Sequence, residues 1–355
     1  MFNKDKILMS TRERGEKIQQ QILRDVKYHS HDIAQHICEI FSISRQAVHK
    51  HLKKLVNDGW LEASGATRNK TYKLGLRRQH GVVIQLNRTV TEHDIYNREF
   101  YWVVEGLPKN IEDIIYYGFT EIVNNAIDHS EGTLCSIFIS RDMENIDISI
   151  TDDGEGIFKR IKRLKELSDE KQAILELYKG KLTTDPENHS GQGIFFTSKM
   201  FDNFNIFSKG LAFHHQYKNE HDFILDNDQI PNEYGTSVYM KISIQSTRTD
   251  KEIFDQFSGN DEENYAFNKT IIPVNMARIN KENLVSRSQA KRLLARVENF
   301  KYVLFDFLNV DTIGQAFADE IFRVYHQRYP QIDITYINTS DAVLKMIKRA
   351  QSEIK

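Results

Sequence analysis

Three acidic and amide residues repeat at helical spacing in NIEDIIYYGFTEIVNNAIDHS, residues 110–130. Glu121, Asn125 and Asp128 are separated by four and then three residues, which aligns their side chains along one helix face. A carboxylate one turn from an amide can orient or deprotonate a water molecule, and the amide oxygen can bind Mg²⁺. Because solvated helix faces show the same pattern, its interpretation depends on the neighbouring segments.

A second stretch, ITDDGEGIF, places two aspartates at the end of an alternating strand. Asp152 and Asp153 can accept hydrogen bonds from a polar ligand. Gly154 and Gly156 predict a backbone that passes close to something bulky.

Two further glycine motifs follow along the chain. Gly191 and Gly193 open a predicted helix, where free backbone N–H groups can bind phosphate. Gly235 and Thr236 precede an alternating strand over 238–244. The motif order is therefore ExxxNxxxH on a helix, DxGxG after a strand, GxG at a helix start, and GT before a strand.

This order resembles the GHKL ATPases, which include gyrase B subunits, MutL proteins, histidine kinases and anti-sigma factor kinases. The resemblance covers about residues 100–246 and implies a Bergerat-type α/β sandwich that binds ATP. It implies that Asp152 hydrogen-bonds the adenine amino group, that Asn125 binds Mg²⁺ and that Glu121 is the general base. Residues 158–190 would form a lid over ATP. The other residues implied to bind nucleotide are Asp128, Gly154, Gly156, Gly191, Gly193 and Thr236.

The subfamily stays open on these residues. EIVNNAID is similar to gyrase and MutL proteins, in which the glutamate activates water and ATP is hydrolysed. His129, and GQGIFFTSKMFDNFNIFS leading to the GT motif, are more similar to the anti-sigma kinases. The segment before the domain is not a histidine-kinase acceptor helix, which argues against autophosphorylation on histidine. The lysine that gyrase-type enzymes bring to the terminal phosphate has no assignable counterpart, so rapid hydrolysis is not expected.

The first 80 residues are strongly basic. They contain 16 Lys and Arg but 8 Asp and Glu, a formal charge of +8, whereas the whole chain has −2. A basic segment on an acidic body predicts contact with a polyanion. Apolar spacing predicts three helices there, over 15–27, from a cap at Ser30, and from a cap at Ser42 or Ser44. A β-hairpin follows.

This arrangement, and SxSRQAVxKHLKxLxxxGWL in particular, resembles a winged helix-turn-helix over residues 10–76. The resemblance implies that the third helix enters the DNA major groove and that the wing contacts the backbone. Polar side chains early in that helix can reach base edges, and later lysines can pair with phosphates. A solvated basic face on a protein-binding winged helix is the alternative. The candidate DNA-binding residues are Ser44, Arg45, Gln46, His49, Lys50, Lys53, Arg68 and Lys70.

The C-terminal segment alternates predicted helices and strands, which indicates a small α/β layer structure. Helices are predicted over 286–300, 312–328 and 341–350. Buried strands are predicted over 302–307 and 333–338.

Residues 265–352 resemble the STAS domain of anti-sigma factor antagonists, and more closely a STAS-like domain of bacterial regulators. In the antagonists, the turn before a helix reads Asp-Ser-Ser-Gly, and its second serine is phosphorylated by a GHKL kinase. Here the turn reads DTIG, and Ile313 has no hydroxyl group. Thr312 is the adjacent candidate phosphoacceptor, although a threonine there is also an ordinary helix N-cap. Asp319 is expected on a solvated helix face.

The composition fits a globular protein without membrane segments. The chain has 355 residues, 40% hydrophobic and 28% charged, which predicts two or three domains. No apolar run approaches the roughly 20 residues that span a bilayer. The two cysteines are far apart and form no metal or disulfide motif, which fits a reducing cytoplasm.

The combined prediction is a multidomain α/β and α+β protein with three domains. These are a winged helix over 10–76, a GHKL domain over 95–246 and a STAS-like domain over 265–352. We expect a cytoplasmic regulator that binds ATP with Mg²⁺, hydrolyses it slowly, and binds DNA, with the nucleotide state controlling the domain arrangement. The alternatives are a serine/threonine kinase acting on a STAS or sigma-pathway partner, and a gyrase- or MutL-like dimerising ATPase. Winged-helix regulators commonly form homodimers, and the sequence leaves the oligomeric state open.

Overall fold

The computed structural model divides the chain into two compact units, which are described separately. One unit comprises Met1–His80 and Ile139–Ile146, and the other comprises Gly81–Phe138 and Asp147–Lys355. Within the described ranges, no helix combines the length and the apolar character needed to cross a membrane. The structure describes residues 11–66, 69–86, 90–182, 191–217, 223–226, 235–258, 267–278 and 283–352.

The N-terminal segment folds as three helices followed by an antiparallel β-hairpin, as its apolar spacing predicts. Apolar side chains from all five elements form one core, in which Ile22, Ile37 and Leu52 are fully buried. Each such side chain contributes about 1.5–3 kcal/mol to folding. The elements are α1 (Thr11–Asp25), α2 (Ile33–Phe41), α3 (Arg45–Asn57), β1 (Leu61–Ser64) and β2 (Thr71–Leu74).

The caps of α2 and α3 show one confirmed prediction and one wrong one. Ser44 caps α3, because its side chain accepts a hydrogen bond of 3.3 Å from the backbone N–H of Ala47. The predicted cap of α2, Ser30, lies in the turn before the helix, and Asp32 occupies the cap position instead. The Asp32 carboxylate makes no capping bond, and it pairs with His29 at 3.1 Å.

Seven strands form one sheet in the spatial order β3-β4-β5-β9-β6-β7-β8. Strand β5 alternates between buried and half-buried residues and ends at Asp152. The neighbours β9, β6, β7 and β8 pair antiparallel. The strands are β3 (Arg78–Gln85), β4 (Leu134–Arg141), β5 (Asn145–Asp152), β6 (Asn203–Ser208), β7 (Leu211–Gln216), β8 (Phe223–Asp226) and β9 (Ser237–Ser243).

The longest helix, α6, has a continuous apolar stripe, with Ile111, Ile115 and Phe119 fully buried. Gly118 lets it approach α9 closely, since a Cβ atom at that position would lie 2.5 Å from the ring of Phe201. The helices between β3 and the C-terminal segment are α4 (Glu92–Ile95), α5 (Tyr101–Val104), α6 (Lys109–His129), α7 (Ile157–Leu164), α8 (Glu170–Lys179), α9 (Gly193–Met200) and α10 (Asp250–Phe257).

The C-terminal segment is a three-stranded parallel sheet in the order β10-β11-β12, with helices between its strands. The alternation of elements was predicted, but its first strand, β10, was missed. Strand β12 is an edge strand with half-exposed residues, not a buried one. The elements are β10 (Lys269–Pro273), α11 (Arg287–Leu294), β11 (Tyr302–Asp306), α12 (Gln315–Asp319), α13 (His326–Arg328), β12 (Asp333–Ile337) and α14 (Asp341–Ser352).

The helix predicted over 312–328 differs in two respects. It begins at Gln315, with Gly314 in the cap position. A π-helical turn, Glu320–Tyr325, separates α12 from α13. The end at Arg328 agrees with the prediction.

Candidate functional site

A cavity of about 370 Å³ lies beside α6, at the end of β5 and at the starts of α7 and α9. Its volume falls within the range of roughly 300–1,000 Å³ that small-molecule sites occupy. Apolar side chains such as Ile150 and Val238 share the walls with polar groups. The predicted site residues that line the cavity are Glu121, Asn125, Asp152, Gly156, Gly191, Gly193 and Thr236.

Two predicted residues do not line this cavity. Asp128 is exposed near the end of α6, where His129 and Ser130 line the cavity instead. Gly154 packs against backbone, since a Cβ atom there would lie 2.1 Å from the carbonyl oxygen of Ser130. The absence of a side chain at Gly154 therefore serves a backbone contact beside the cavity.

Asp152 is held in place by the backbone around the GT motif. Its Oδ1 atom accepts hydrogen bonds from the N–H groups of Gly154 at 2.9 Å and Thr236 at 3.1 Å. Its own N–H donates to the Thr236 carbonyl at 2.9 Å, and its carbonyl accepts from Gly235 at 3.0 Å. The side chain is buried, and this desolvation raises the pKa of Asp152, while the two N–H donors oppose the rise.

The neighbouring Asp153 has a different task because successive strand residues point to opposite faces. One of its carboxylate oxygens accepts from the N–H groups of Thr133 at 2.7 Å and Leu134 at 2.9 Å. The other accepts from the Thr133 hydroxyl at 2.7 Å. Hydrogen bonding, led by the Leu134 N–H, lowers the pKa of Asp153. Asp153 therefore fixes the start of β4 on the exposed side.

Two glycines bring backbone into tight contact at the cavity. Gly156 has φ +94°, and a Cβ atom there would lie 2.6 Å from the Ser208 hydroxyl. Gly193 opens α9 so close to Glu121 that a Cβ atom would lie 1.8 Å from the Glu121 Oε2 atom. The start of α9 and the carboxylate of Glu121 consequently share one end of the cavity.

A cation that the sequence reasoning missed also lines the cavity. Arg160, on α7, donates a hydrogen bond to Glu131. Its Nε atom is buried and makes no hydrogen bond within the part of the chain that the structure describes. The only sequence signal for Arg160 was its position one helical turn after Gly156, which did not distinguish it from nearby lysines.

The segment predicted as a lid, 158–190, is only partly a surface segment. Helix α7 has exposed positions, but Ala173–Lys179 in α8 are all buried. Leu177 of α8 and Leu182 after it line the cavity. Residues 183–190 lie outside the described residues. Helix α8 therefore forms part of the cavity wall, and the lid over residues 158–190 stays a prediction.

The predicted DNA-contacting residues of α3 lie on one exposed surface, the basic face. Lys70, the residue before β2, is exposed, and its Nζ atom lies 5.4 Å from the ring centroid of Tyr72. Arg68 lies outside the described residues. The exposed residues of the basic face are Ser44, Arg45, Gln46, His49, Lys50 and Lys53.

In the DTIG turn of the C-terminal segment, Thr312 is not the helix N-cap that the sequence suggested. Thr312 is exposed and does not cap α12, because Gly314 occupies the cap position. Ile313 is buried with 3% exposure. Asp319, expected on a solvated face, is buried and pairs with Arg323 and, at 3.4 Å, with Arg287. The hydrogen bond from Arg323 is the main cause that lowers the pKa of Asp319.

Comparison with known proteins assigns one segment of the chain. The model of a STAS-like domain of unknown function (DUF4325) matches residues 289–344. The match lies inside the segment predicted as STAS-like. No curated protein matches the chain.

Proposed function

We propose that this protein is an ATP-binding regulator of the GHKL type that binds DNA through an N-terminal winged helix. One observation carries the nucleotide part: residues from four separate motifs line a single cavity of about 370 Å³. The four motifs are far apart in the sequence, and a solvated helix face would give no reason for Glu121 and Asn125 to meet Asp152 and Gly193.

Asp152 and Thr236 would bind the adenine. Both backbone donors bind the same carboxylate oxygen, Oδ1, so neither uses Oδ2. A buried carboxylate oxygen in that position can accept a hydrogen bond from the adenine amino group. The apolar wall at Ile150 and Val238 suits the faces of a purine ring.

The opposite end of the site would hold the phosphates. Gly191 and Gly193 bring backbone to the cavity at the start of α9, where N–H groups attract anions. The amide oxygen of Asn125 fits Mg²⁺, which takes few protein oxygens and completes its shell with waters and phosphate oxygens. Bound Mg²⁺ would neutralise phosphate charge. Glu121, one turn away, would orient and deprotonate the attacking water.

The basic face of α3 supports the DNA part of the proposal. Five exposed polar and basic residues of α3 lie together with its exposed N-cap residue, Ser44, in a segment with a formal charge of +8. Long side chains at the start of α3, such as Arg45 and Gln46, can reach base edges in a major groove, and Lys50 and Lys53 can pair with phosphates. ATP would change the arrangement of the domains only if it binds one arrangement more tightly than another.

A second function, phosphoryl transfer to a STAS-type acceptor, is favoured by one observation. Thr312 is exposed and is not needed as a helix cap. The Thr312 hydroxyl is therefore a candidate acceptor in this chain, and a STAS-type partner with an equivalent turn would supply its own hydroxyl.

Incubation with Mg²⁺ and γ-labelled ATP tests both functions. Free phosphate and protein-bound label are followed together, with Asp152→Ala as the blank. Release of phosphate without retained label supports the regulator with slow hydrolysis. Label mapped to Thr312, and lost in Thr312→Val, supports the kinase.

Equilibrium binding of ATP completes the test. If ATP binds but no phosphate is released and no label stays on the protein, the domain is a nucleotide sensor. Absence of binding to the wild-type protein, at millimolar ATP and Mg²⁺, contradicts the nucleotide part of the proposal. DNA binding is measured separately, with and without ATP.

A further inference from the structure

Helix α8 is enclosed although it carries charged residues. Ala173–Lys179 are all buried, and the side chains of Glu176 and Lys179 are each 1% exposed. Burying an ion pair is costly unless good hydrogen bonds compensate each charge. The partners of this pair therefore show what the helix is held against.

Lys179 binds the end of a helix in the C-terminal segment. Its Nζ atom donates to Glu176 at 2.6 Å and to the backbone carbonyl of Ala295 at 2.6 Å. A longer contact, 3.4 Å, reaches the carbonyl of Leu293. These carbonyls terminate α11, where helices carry unsatisfied acceptors and partial negative charge. The ammonium group of Lys179 thus caps α11 from a different part of the chain.

Arg296 completes the connection from the other side. It donates to Glu176 at 3.1 Å and to the carbonyl of Lys181. The Thr270 hydroxyl of β10 donates to the carbonyl of Lys179 at 2.8 Å. Side chains and backbone of the C-terminal segment therefore hold both the interior and the end of α8.

The same stretch forms a wall of the nucleotide cavity. Leu177 and Leu182 line it, and they flank Lys179 in the sequence. The N–H of Leu182 donates to the carbonyl of Gly191 at 3.1 Å. Gly191 has φ +67° and leaves no room for a side chain against the Leu182 backbone. One continuous set of contacts thus runs from the end of α11, through Lys179 and Leu182, to the first glycine of the proposed phosphate loop.

We infer that Lys179 and Arg296 are positioning residues of the nucleotide cavity, through which the STAS-like segment sets the shape of its phosphate end. The inference rests on the proposed nucleotide function and adds its regulation. Any partner or modification that loosens the end of α11 would weaken nucleotide binding. By linkage, bound nucleotide would tighten the end of α11 by the same factor.

Full-length variants test this inference. Lys179→Met removes the capping ammonium but keeps an unbranched side chain of similar length. Lys179→Met leaves the buried Glu176 without this partner, which can destabilise the fold. The double variant Glu176→Leu with Lys179→Met removes both charges and so avoids a buried charge that has lost this partner. We expect each to weaken ATP binding about tenfold, within the usual range of coupling between sites.

Two controls separate positioning from other effects. Val343→Ala removes buried atoms from α14, so it lowers the melting temperature without touching α8, and ATP affinity should stay at the wild-type value. Lys165→Met removes an exposed lysine after α7 and tests the loss of charge alone. Wild-type affinity in both Lys179 variants would overturn the inference, as would an equal loss of affinity in Val343→Ala.

A second measurement does not depend on nucleotide. Hydrogen exchange at the Leu182 amide reports whether its bond to Gly191 stays closed. We expect this exchange to be at least tenfold faster in Lys179→Met than in wild type or Val343→Ala. Unchanged exchange overturns the inference even if ATP never binds, whereas failure of ATP to bind, with faster exchange in Lys179→Met, contradicts only the proposed function.

Discussion

Two helices of this protein carry a row of polar residues, and their surroundings differ. On α6, Glu121 and Asn125 are half-buried and line a cavity. On α3, the residues of the basic face are exposed. Interactions in an enclosed site are strong and depend on geometry, whereas exposed charges are screened by salt within about 8–10 Å. Enclosure thus favours one small ligand that fits, and exposure favours a polyanion that is attracted by charge.

The largest expected effect lies on the enclosed row. Glu121→Gln should reduce ATP turnover by about 10²–10⁴-fold, because general base catalysis contributes that much. Glutamine keeps the length of the side chain beside Gly193, so ATP affinity should remain close to wild type. Phosphate release and equilibrium binding measure the two quantities, and wild-type turnover would exclude Glu121 as the base.

Asp152→Asn should weaken ATP binding by about 10–100-fold, because hydrogen bonds to charged groups contribute roughly 1.5–3 kcal/mol. Asparagine can keep the acceptor for Gly154 and Thr236, so the loss should come from the ligand. Asp153→Asn is the matched control, since Asp153 bonds Thr133 and Leu134 away from the cavity. Isothermal titration calorimetry compares the ATP affinities of the two variants. An equal loss of affinity in both would assign the effect to folding.

On the exposed row, the double variant Arg45→Ala with Lys50→Ala should weaken DNA binding moderately. Because Lys50 is proposed to pair with a phosphate and Arg45 to reach base edges, the slope of log K against log salt should become shallower by about 1. Lys54→Ala, which changes another exposed lysine of α3, should have little effect. Equal salt slopes for wild type and the double variant would place DNA contacts elsewhere.

The smallest expected effect is a pH dependence of the cavity that comes from Asp152. Burial raises the folded-state pKa of Asp152, so its proton is bound more tightly in the folded than in the unfolded chain. Its contribution to stability therefore declines as pH rises from its ordinary pKa of 3.8 through that raised value. ATP affinity changes in the opposite sense, because protonation removes the acceptor for the adenine amino group. We expect affinity to fall a few-fold toward acid pH.

Asp152→Asn supplies the control for this pH dependence. The ATP phosphates titrate equally in both proteins, so the difference between the two binding profiles isolates Asp152. Parallel profiles would contradict a role for its ionised form. Calorimetric titrations at several pH values provide the measurement.

The sequence predicted the local elements and the residues that line the cavity better than it predicted which distant residues contact them. Helix α6, strands β4, β5 and β9, and helix α9 follow from periodicity and glycine position. The antiparallel pair of β6 and β7 was missed, because β6 lies inside the stretch GQGIFFTSKMFDNFNIFS, which was analysed only for its helix start and its similarity to the anti-sigma kinases. Strand β10 was missed because it follows a polar stretch and is only five residues long.

Partners distant in sequence explain the larger errors. Lys179 and Glu176 gave α8 the composition of a surface lid, yet Ala295 and Arg296 supply the acceptor and the charge that allow their burial. Asp319 was placed in solvent although its main partner, Arg323, is one helical turn away; its second partner, Arg287 at 3.4 Å, belongs to another helix. The packing around Asp319 brings α11 against α12, and no local pattern contains that contact.

The contact between Gly193 and Glu121 has a consequence for how related sequences can vary. A Cβ atom at position 193 would overlap the Glu121 carboxylate, so a substitution at 193 acts on the residue at 121. A chain that acquired alanine at 193 would have to swing the Glu121 carboxylate away from the start of α9 or carry a shorter side chain at 121. Either change would take Glu121 out of its proposed role as the base, and would leave a chain of the same fold that can bind nucleotide but not hydrolyse it.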